Sequence, residues 1–170
     1  MEIVSGVLSV ITTAICLIEP FSKNMKTVLV INAIINALVG INYLLTQSYS
    51  GAIICGVAIF CLMINYTFTS RDKDIPKWVV GMHAALFLAA NLTTFAHVYD
   101  ILAIIASLLF VLSMAQKSTK YYRLIYISNS LVWIPYDLLA KSYGNLFTHV
   151  ILAIAILISI YVRDRESKEK

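Results

Sequence analysis

Residues 44–50, Leu44-Leu45-Thr46-Gln47-Ser48-Tyr49-Ser50, return 94 positions later as Leu138-Leu139-Ala140-Lys141-Ser142-Tyr143-Gly144. At the same offset Lys23 and Lys26 fall on Lys117 and Lys120, and Arg71 falls on Arg165. Shared Leu and Ile say little in a chain this apolar. Shared Lys, Ser-Tyr and Arg positions around matching hydrophobic blocks mark an internal repeat. Each quoted stretch is also a polar break between two long apolar runs, so the remaining helices are found by reading outward from it.

A membrane-crossing helix needs about 20 mostly apolar residues, within a range of about 17–25. Breaks at polar, charged and turn residues then give seven spans. They run from about Ile3 to Glu19 (closed by Pro20), Thr27 to Thr46, Gly51 to Thr69, Lys77 to Ala96, Tyr99 to Ala115, Tyr121 to Ala140, and Asn145 to Val162. Ser70 to Pro76 is a hydrophilic connector, and Arg163 to Lys170 is a solvated charged tail. Runs such as Ile151 to Ile160 are too long and too continuously apolar for barrel strands, which alternate over roughly 10 residues. The first run lacks a basic leading segment, so it is expected to stay as a helix and not to be cleaved.

Composition agrees with a lipid solvent. Of 170 residues, 60% are hydrophobic and 13% charged, with mean hydropathy +0.84, whereas soluble domains carry about 25% charged residues. A soluble chain this short has no means of burying so much apolar surface. Cys16, Cys55 and Cys61 all lie in apolar runs without metal-ligand spacing and read as small packing residues.

The net charge of +4 raises nucleic acid as a partner, but the positions of the charges argue against it. Of the 13 Lys and Arg, every one except Lys141 falls in the connectors after spans one, three and five or in the tail. That asymmetry predicts those connectors on the cytoplasmic side, the N-terminus outside and the C-terminus inside. The basic residues then serve topology and contact anionic headgroups.

Spans one to three repeat as spans five to seven, and an odd unit copied directly would be inverted. The fourth span restores the direction, which predicts two parallel three-helix bundles joined by a linker helix, a 3+1+3 plan. The expected units are 1–70 (first repeat), 71–97 (linker helix), 98–163 (second repeat) and 164–170 (charged tail).

With that layout the chain resembles the PQ-loop/SWEET superfamily of small transporters, and within it is most similar to the bacterial YgjV-like inner-membrane proteins. The residues carrying the likeness are Lys26 through Asn36 with Leu44 to Gly51, and Tyr122-Arg123-Leu124 through Asn129 with Trp133-Ile134 and Lys141 to Gly144. The likeness covers nearly the whole chain as a pattern of layout and loops. The Pro-Gln pair that names the superfamily is missing: Glu19-Pro20 stands in a similar place, and its counterpart is Ser113-Met114. The dense Trp/Asn motif of the vitamin-transporting branch is also missing. The resemblance implies transport of a small solute through a site between the repeats, with a Trp on the middle helix and a polar residue on the last helix of a repeat. Trp133 and His149 fill those places in the second half; Val39 and Cys55 fill them in the first, so the implied site is asymmetric.

Polar groups at membrane depth usually face the bundle interior. Asn32 and Asn36 share one helical face, as do Asn129 and Trp133, and His149 enters the last span at a similar depth. These five are the candidate solute-binding residues. A Trp ring stacks on sugars, nucleosides or heterocycles, and Asn both donates and accepts, which suits a polar uncharged solute. The competing reading is that each Asn only bonds a neighbouring helix. Glu19 is expected near the cytoplasmic interface, paired with Lys23 or Lys26 or acting as a gate. Asp137 reads as an interfacial anchor in preference to a proton-coupling carboxylate. Pro20 and Pro135 are candidate kinks or helix ends. Asn65, His83 and Asn91 read as packing residues, and Tyr43, Tyr49, Tyr121, Tyr122, Tyr136 and Tyr143 as an interfacial belt.

Enzyme motifs are absent from the sequence, and no metal or cofactor is expected. The expected partners are the lipid bilayer and a small-molecule solute, with a second copy of the chain as a further candidate. The alternative function is a non-transporting membrane protein: a receptor, an immunity factor or an assembly partner.

Overall fold

The computed structural model describes residues 2–45, 49–141 and 143–168. Seven α-helices make up the fold, with no strand among the described residues: α1 (Glu2–Ile18), α2 (Met25–Leu45), α3 (Tyr49–Ser70), α4 (Lys77–Leu92), α5 (Asp100–Met114), α6 (Thr119–Leu139) and α7 (Tyr143–Lys168). A 3₁₀ turn, Glu19–Phe21, ends α1, because Pro20 cannot donate the next helical hydrogen bond. Pro76 caps α4 with extended backbone. Pro135 does not end α6, which continues to Leu139. In the repeat signature Thr46, Gln47, Ser48 and Ser142 lie outside the described residues, as do Glu169, Lys170 and the side chains of Tyr49 and Tyr143.

Four helical stretches are long and apolar enough to cross a bilayer: Val4–Phe21, Met25–Leu45, Gly51–Ser70 and Asn145–Arg163. The other three differ from the expected spans for separate reasons. α4 and α5 are short, 16 and 15 residues, because the chain leaves the helix at Leu92 and re-enters it only at Asp100. There the backbone N–H groups of Ala96 and His97 donate to the Asp100 carboxylate at 2.8 and 2.7 Å, fixing the connector. α6 is 21 residues long but carries Arg123, Asn129, Ser130 and Asp137 on its buried side.

Each helix packs against the next in chain order, and α7 returns to α1, closing a ring. α2 and α3 approach closely because small residues stand at their contact: a Cβ on Gly40 would lie 3.2 Å from Cys55, and one on Gly51 would lie 2.7 Å from the Tyr43 ring. The outer surface is aliphatic and aromatic, with Val10 (71% exposed) and Trp78 (70%) examples of side chains that need lipid around them. One end of the ring carries the connectors rich in Lys and Arg; we call it the basic end. There Met25, Val28, Leu29, Leu62, Met114, Tyr122 and Ile156 form a fully buried cluster.

Polar groups tie the ring together. Asn91 Nδ2 donates to Ser107 Oγ at 3.0 Å across α4 and α5, and Asn65 Nδ2 donates to the Met114 carbonyl at 3.2 Å. A double-mutant cycle on Asn91→Ala and Ser107→Ala, read by unfolding in detergent, should return a coupling of about 0.6 kcal/mol, the average for hydrogen bonds between membrane helices.

Candidate functional site: a central polar cavity

All seven helices contribute to the wall of one cavity of about 710 Å³ along the ring axis. It reaches the surface beside exposed Thr94 and Asn145, away from the basic end, and extends as deep as Cys16, Asn32 and Tyr126. A stripe on α1, Ser9, Thr12, Thr13 and Cys16, recurs at helical spacing and faces it. Three of these side chains are hydroxyls whose O–H groups donate back to carbonyls one turn earlier: Ser9 to Ser5, Thr12 to Leu8 and Thr13 to Ser9. The α1 wall therefore presents hydroxyl oxygens without a backbone hydrogen-bond debt.

The outer half of the cavity holds an ionisable and aromatic group of residues on α6 and α7. His149 Nδ1 lies 2.6 Å from Asp137 Oδ2, with the Asp137 side chain 2% exposed and that of His149 23%. The Trp133 and His149 rings stack nearly parallel, 5.6 Å apart with an interplanar angle of 5°. Tyr136 meets Trp133 edge-on at 5.1 Å and Tyr99 edge-on at 5.9 Å. The Asp137 carboxyl group orients the imidazole, and the indole stacks on it. Among the described residues no Lys or Arg lines this cavity.

Below the cavity floor lies a second polar group. Glu19 is fully buried, and the Tyr122 hydroxyl donates to its Oε1. Its Oε2 is buried without a hydrogen-bond partner, and Asn32 sits beside the same carboxyl. The neighbouring turn is held by carbonyl contacts: Ser159 Oγ donates to Pro20 O at 2.6 Å, Arg123 Nη1 to Pro20 O at 3.4 Å, and Arg163 Nη2 to Phe21 O at 2.7 Å.

A family model for a bacterial inner membrane protein, Imp-YgjV, matches residues 3–167. The chain belongs to this family. No curated protein and no solved structure gives a significant match. Membership in Imp-YgjV accounts for the aliphatic outer surface: the helices are those of a multi-pass inner membrane protein.

Within this Imp-YgjV chain all five residues expected to bind solute, Asn32, Asn36, Asn129, Trp133 and His149, line the cavity, as do Val39 and Cys55. Three of them spend donors on the protein. Asn32 Nδ2 donates to Val28 O at 3.3 Å, Asn36 Nδ2 to Asn32 O at 2.9 Å, and Asn129 Nδ2 to Ala106 O at 2.6 Å. Asn129 thus joins α6 to α5 as well as facing the cavity.

Other expectations need correcting. Asp137 is not an interfacial anchor; it is 1% exposed and bonded to His149, because α6 continues past Pro135 and turns it inward. Glu19 does not pair with Lys23 or Lys26, which are exposed; the 3₁₀ turn directs it into the protein toward Tyr122. Tyr122 is fully buried and so is not part of an interfacial belt, whereas Tyr121 next to it is 60% exposed. The α1 stripe, Tyr126 and Ser159 were not singled out in the sequence. The stripe was readable from its 3–4 residue spacing, but nothing local marks Tyr126 or Ser159.

Proposed function

We propose that this protein is a small membrane transporter carrying a polar, uncharged metabolite (a sugar, a nucleoside or a vitamin-like compound) through the central cavity. The observation that carries the reading is the cavity itself: all helices contribute, it falls within the size of small-molecule sites, about 300–1,000 Å³, and it combines hydroxyl and amide groups with the Trp133–His149 platform. An assembly factor acting through its surface has no need of a polar hollow along the axis of a bundle surrounded by lipid.

The same reading keeps the 3+1+3 plan and the likeness to the PQ-loop/SWEET superfamily. Support comes from the 94-residue offset applied to the cavity. Apart from Thr12 and Asn36, every lining residue of α1 to α3 has a lining residue 94 positions later, as in Val39 with Trp133, Tyr43 with Asp137, Cys55 with His149 and Ala58 with Leu152. Two hydrogen bonds correspond as well: Asn65 on α3 donates to the carbonyl of residue 114, and Ser159 on α7 donates to that of residue 20. Each third helix is thereby tied to the end of the other half's first helix, as a twofold axis along the membrane normal requires. We take the basic end as cytoplasmic, so this conformation faces outward.

The test is thermal stability of the detergent-purified protein against a panel of sugars, nucleosides, vitamins and amino acids. A compound that binds the folded state raises the unfolding temperature by mass action. At least one uncharged compound should do so, and Trp133→Ala should remove the shift. A well-folded sample that no compound stabilises, even at tens of millimolar, and that Trp133→Ala leaves unchanged would favour a non-transporting role.

A further inference from the structure

We infer that Glu19 is a proton-binding site at the cytoplasmic end of the cavity, and that loss of its proton opens the cavity inward. The inference rests on the transport reading and adds a pH control to the same pathway.

The geometry is that of a latch. Glu19 sits in the turn that ends α1 and is bonded through Tyr122 to α6, 103 positions away in the chain. Ser159 on α7 and Arg123 on α6 hold the next carbonyl of the same turn. Freeing α1 from α6 and α7 at this end would open a path between Cys16, on the cavity floor, and the cytoplasm. The carboxyl lies one helical turn beyond Cys16 and beside Asn32, so a proton arriving through the cavity has only that floor to cross.

The charge state decides whether the latch holds. The titratable or charged groups around Glu19 are Cys16 on its own helix, Tyr122, Arg123 and Tyr126 on α6, and Arg163 on α7; α2 presents Asn32, which does not titrate. Two effects oppose each other. An ionised carboxylate strengthens the bond from Tyr122, because charge-assisted hydrogen bonds are about twice as strong as neutral ones, worth an additional factor of roughly ten in the closed state. Yet burying an ionised carboxylate with Oε2 unpartnered carries a far larger desolvation penalty than burying a neutral carboxyl. Desolvation wins, so the closed latch favours the protonated acid. Opening hydrates Glu19, releases its proton to the cytoplasm, and is favoured as the pH there rises.

The experiment uses the full chain with Cys55→Ala and Cys61→Ala, leaving Cys16 as the one thiol, in inside-out membrane vesicles. A membrane-impermeant maleimide is added from the cytoplasmic face across pH 5.5–8.5. The same measurement on Glu19→Gln, in the same background, corrects for the thiol's own titration. The ratio of wild-type to Glu19→Gln labelling rates should rise about tenfold per pH unit over part of the range, the linkage slope for one proton. Glu19→Ala, which removes the bond from Tyr122, should be labelled faster than Glu19→Gln at every pH and, like it, show no pH dependence beyond the thiol's own; it serves as the reference if Glu19→Gln does not accumulate. Labelling from the cytoplasmic face with a flat ratio would overturn the proton inference and leave alternating access standing. Labelling of Cys16 from the outer face alone, in all variants and at every pH, would overturn both.

Discussion

Replacing Tyr122 by alanine is expected to destabilise the protein by about 4 kcal/mol, the largest effect of any single change considered for this chain. Two costs combine. The ring is fully buried among Met25, Leu29, Leu62 and Met114, and it stacks on Tyr126 at 5.1 Å, so its loss leaves a cavity in the cluster that closes the basic end. Its hydroxyl is also the hydrogen-bond donor to Glu19 Oε1, whose other oxygen is already unpartnered. Tyr122→Phe keeps the ring and removes only the donor, so it should cost about 1–3 kcal/mol. Denaturant unfolding of the three proteins in one detergent separates the terms. Equal losses for Ala and Phe would mean that the ring contributes nothing, contrary to its burial.

Removing His149 should cost about 3 kcal/mol, the upper end of the range for leaving a buried hydrogen-bonding group without its partner, because the Asp137 side chain is almost wholly enclosed. The Asp137 carboxylate left behind is almost wholly buried. If that unpartnered carboxyl group is the main cost, Asp137→Asn added to His149→Ala should recover stability instead of losing more, a non-additivity of more than about 1 kcal/mol. Both His149→Ala proteins should also lose any solute-induced thermal shift, since the Trp133 ring no longer has the imidazole stacked on it. Additive losses in the double variant would show that packing, and not the Asp137–His149 hydrogen bond, holds this part of the cavity.

These two positions illustrate how differently the site was written into the chain. Trp133 and His149 were readable because an aromatic and an imidazole stood at matching depth on neighbouring helices, and side chains at equal depth on adjacent helices meet. Asn32, Asn36 and Asn129 were readable as inward-facing for the same reason of cost in lipid. Whether an inward amide is free for a solute depends on which carbonyl lies nearest. For Asn129 that carbonyl belongs to Ala106, 23 residues earlier. Glu19 misled because a carboxylate close in sequence to Lys23 and Lys26 resembles an interfacial ion pair. The turn made by Pro20 reverses that, and its partner lies in the other half of the chain.

The sequence by itself determined the solvent, the helical class and the positions of most helix breaks. These follow from local quantities: run length, apolar continuity, and Pro or charged residues at fixed places. It also carried the 94-residue offset, since similar local patterns are visible wherever they recur. Only the tertiary structure decided that the helices close in a ring, that Asp137 turns inward to His149, and that Glu19 is sealed under the cavity by Tyr122. Those outcomes depend on contacts between residues far apart in the chain, where a rotation of one helix by a single residue exchanges the lipid face for the cavity.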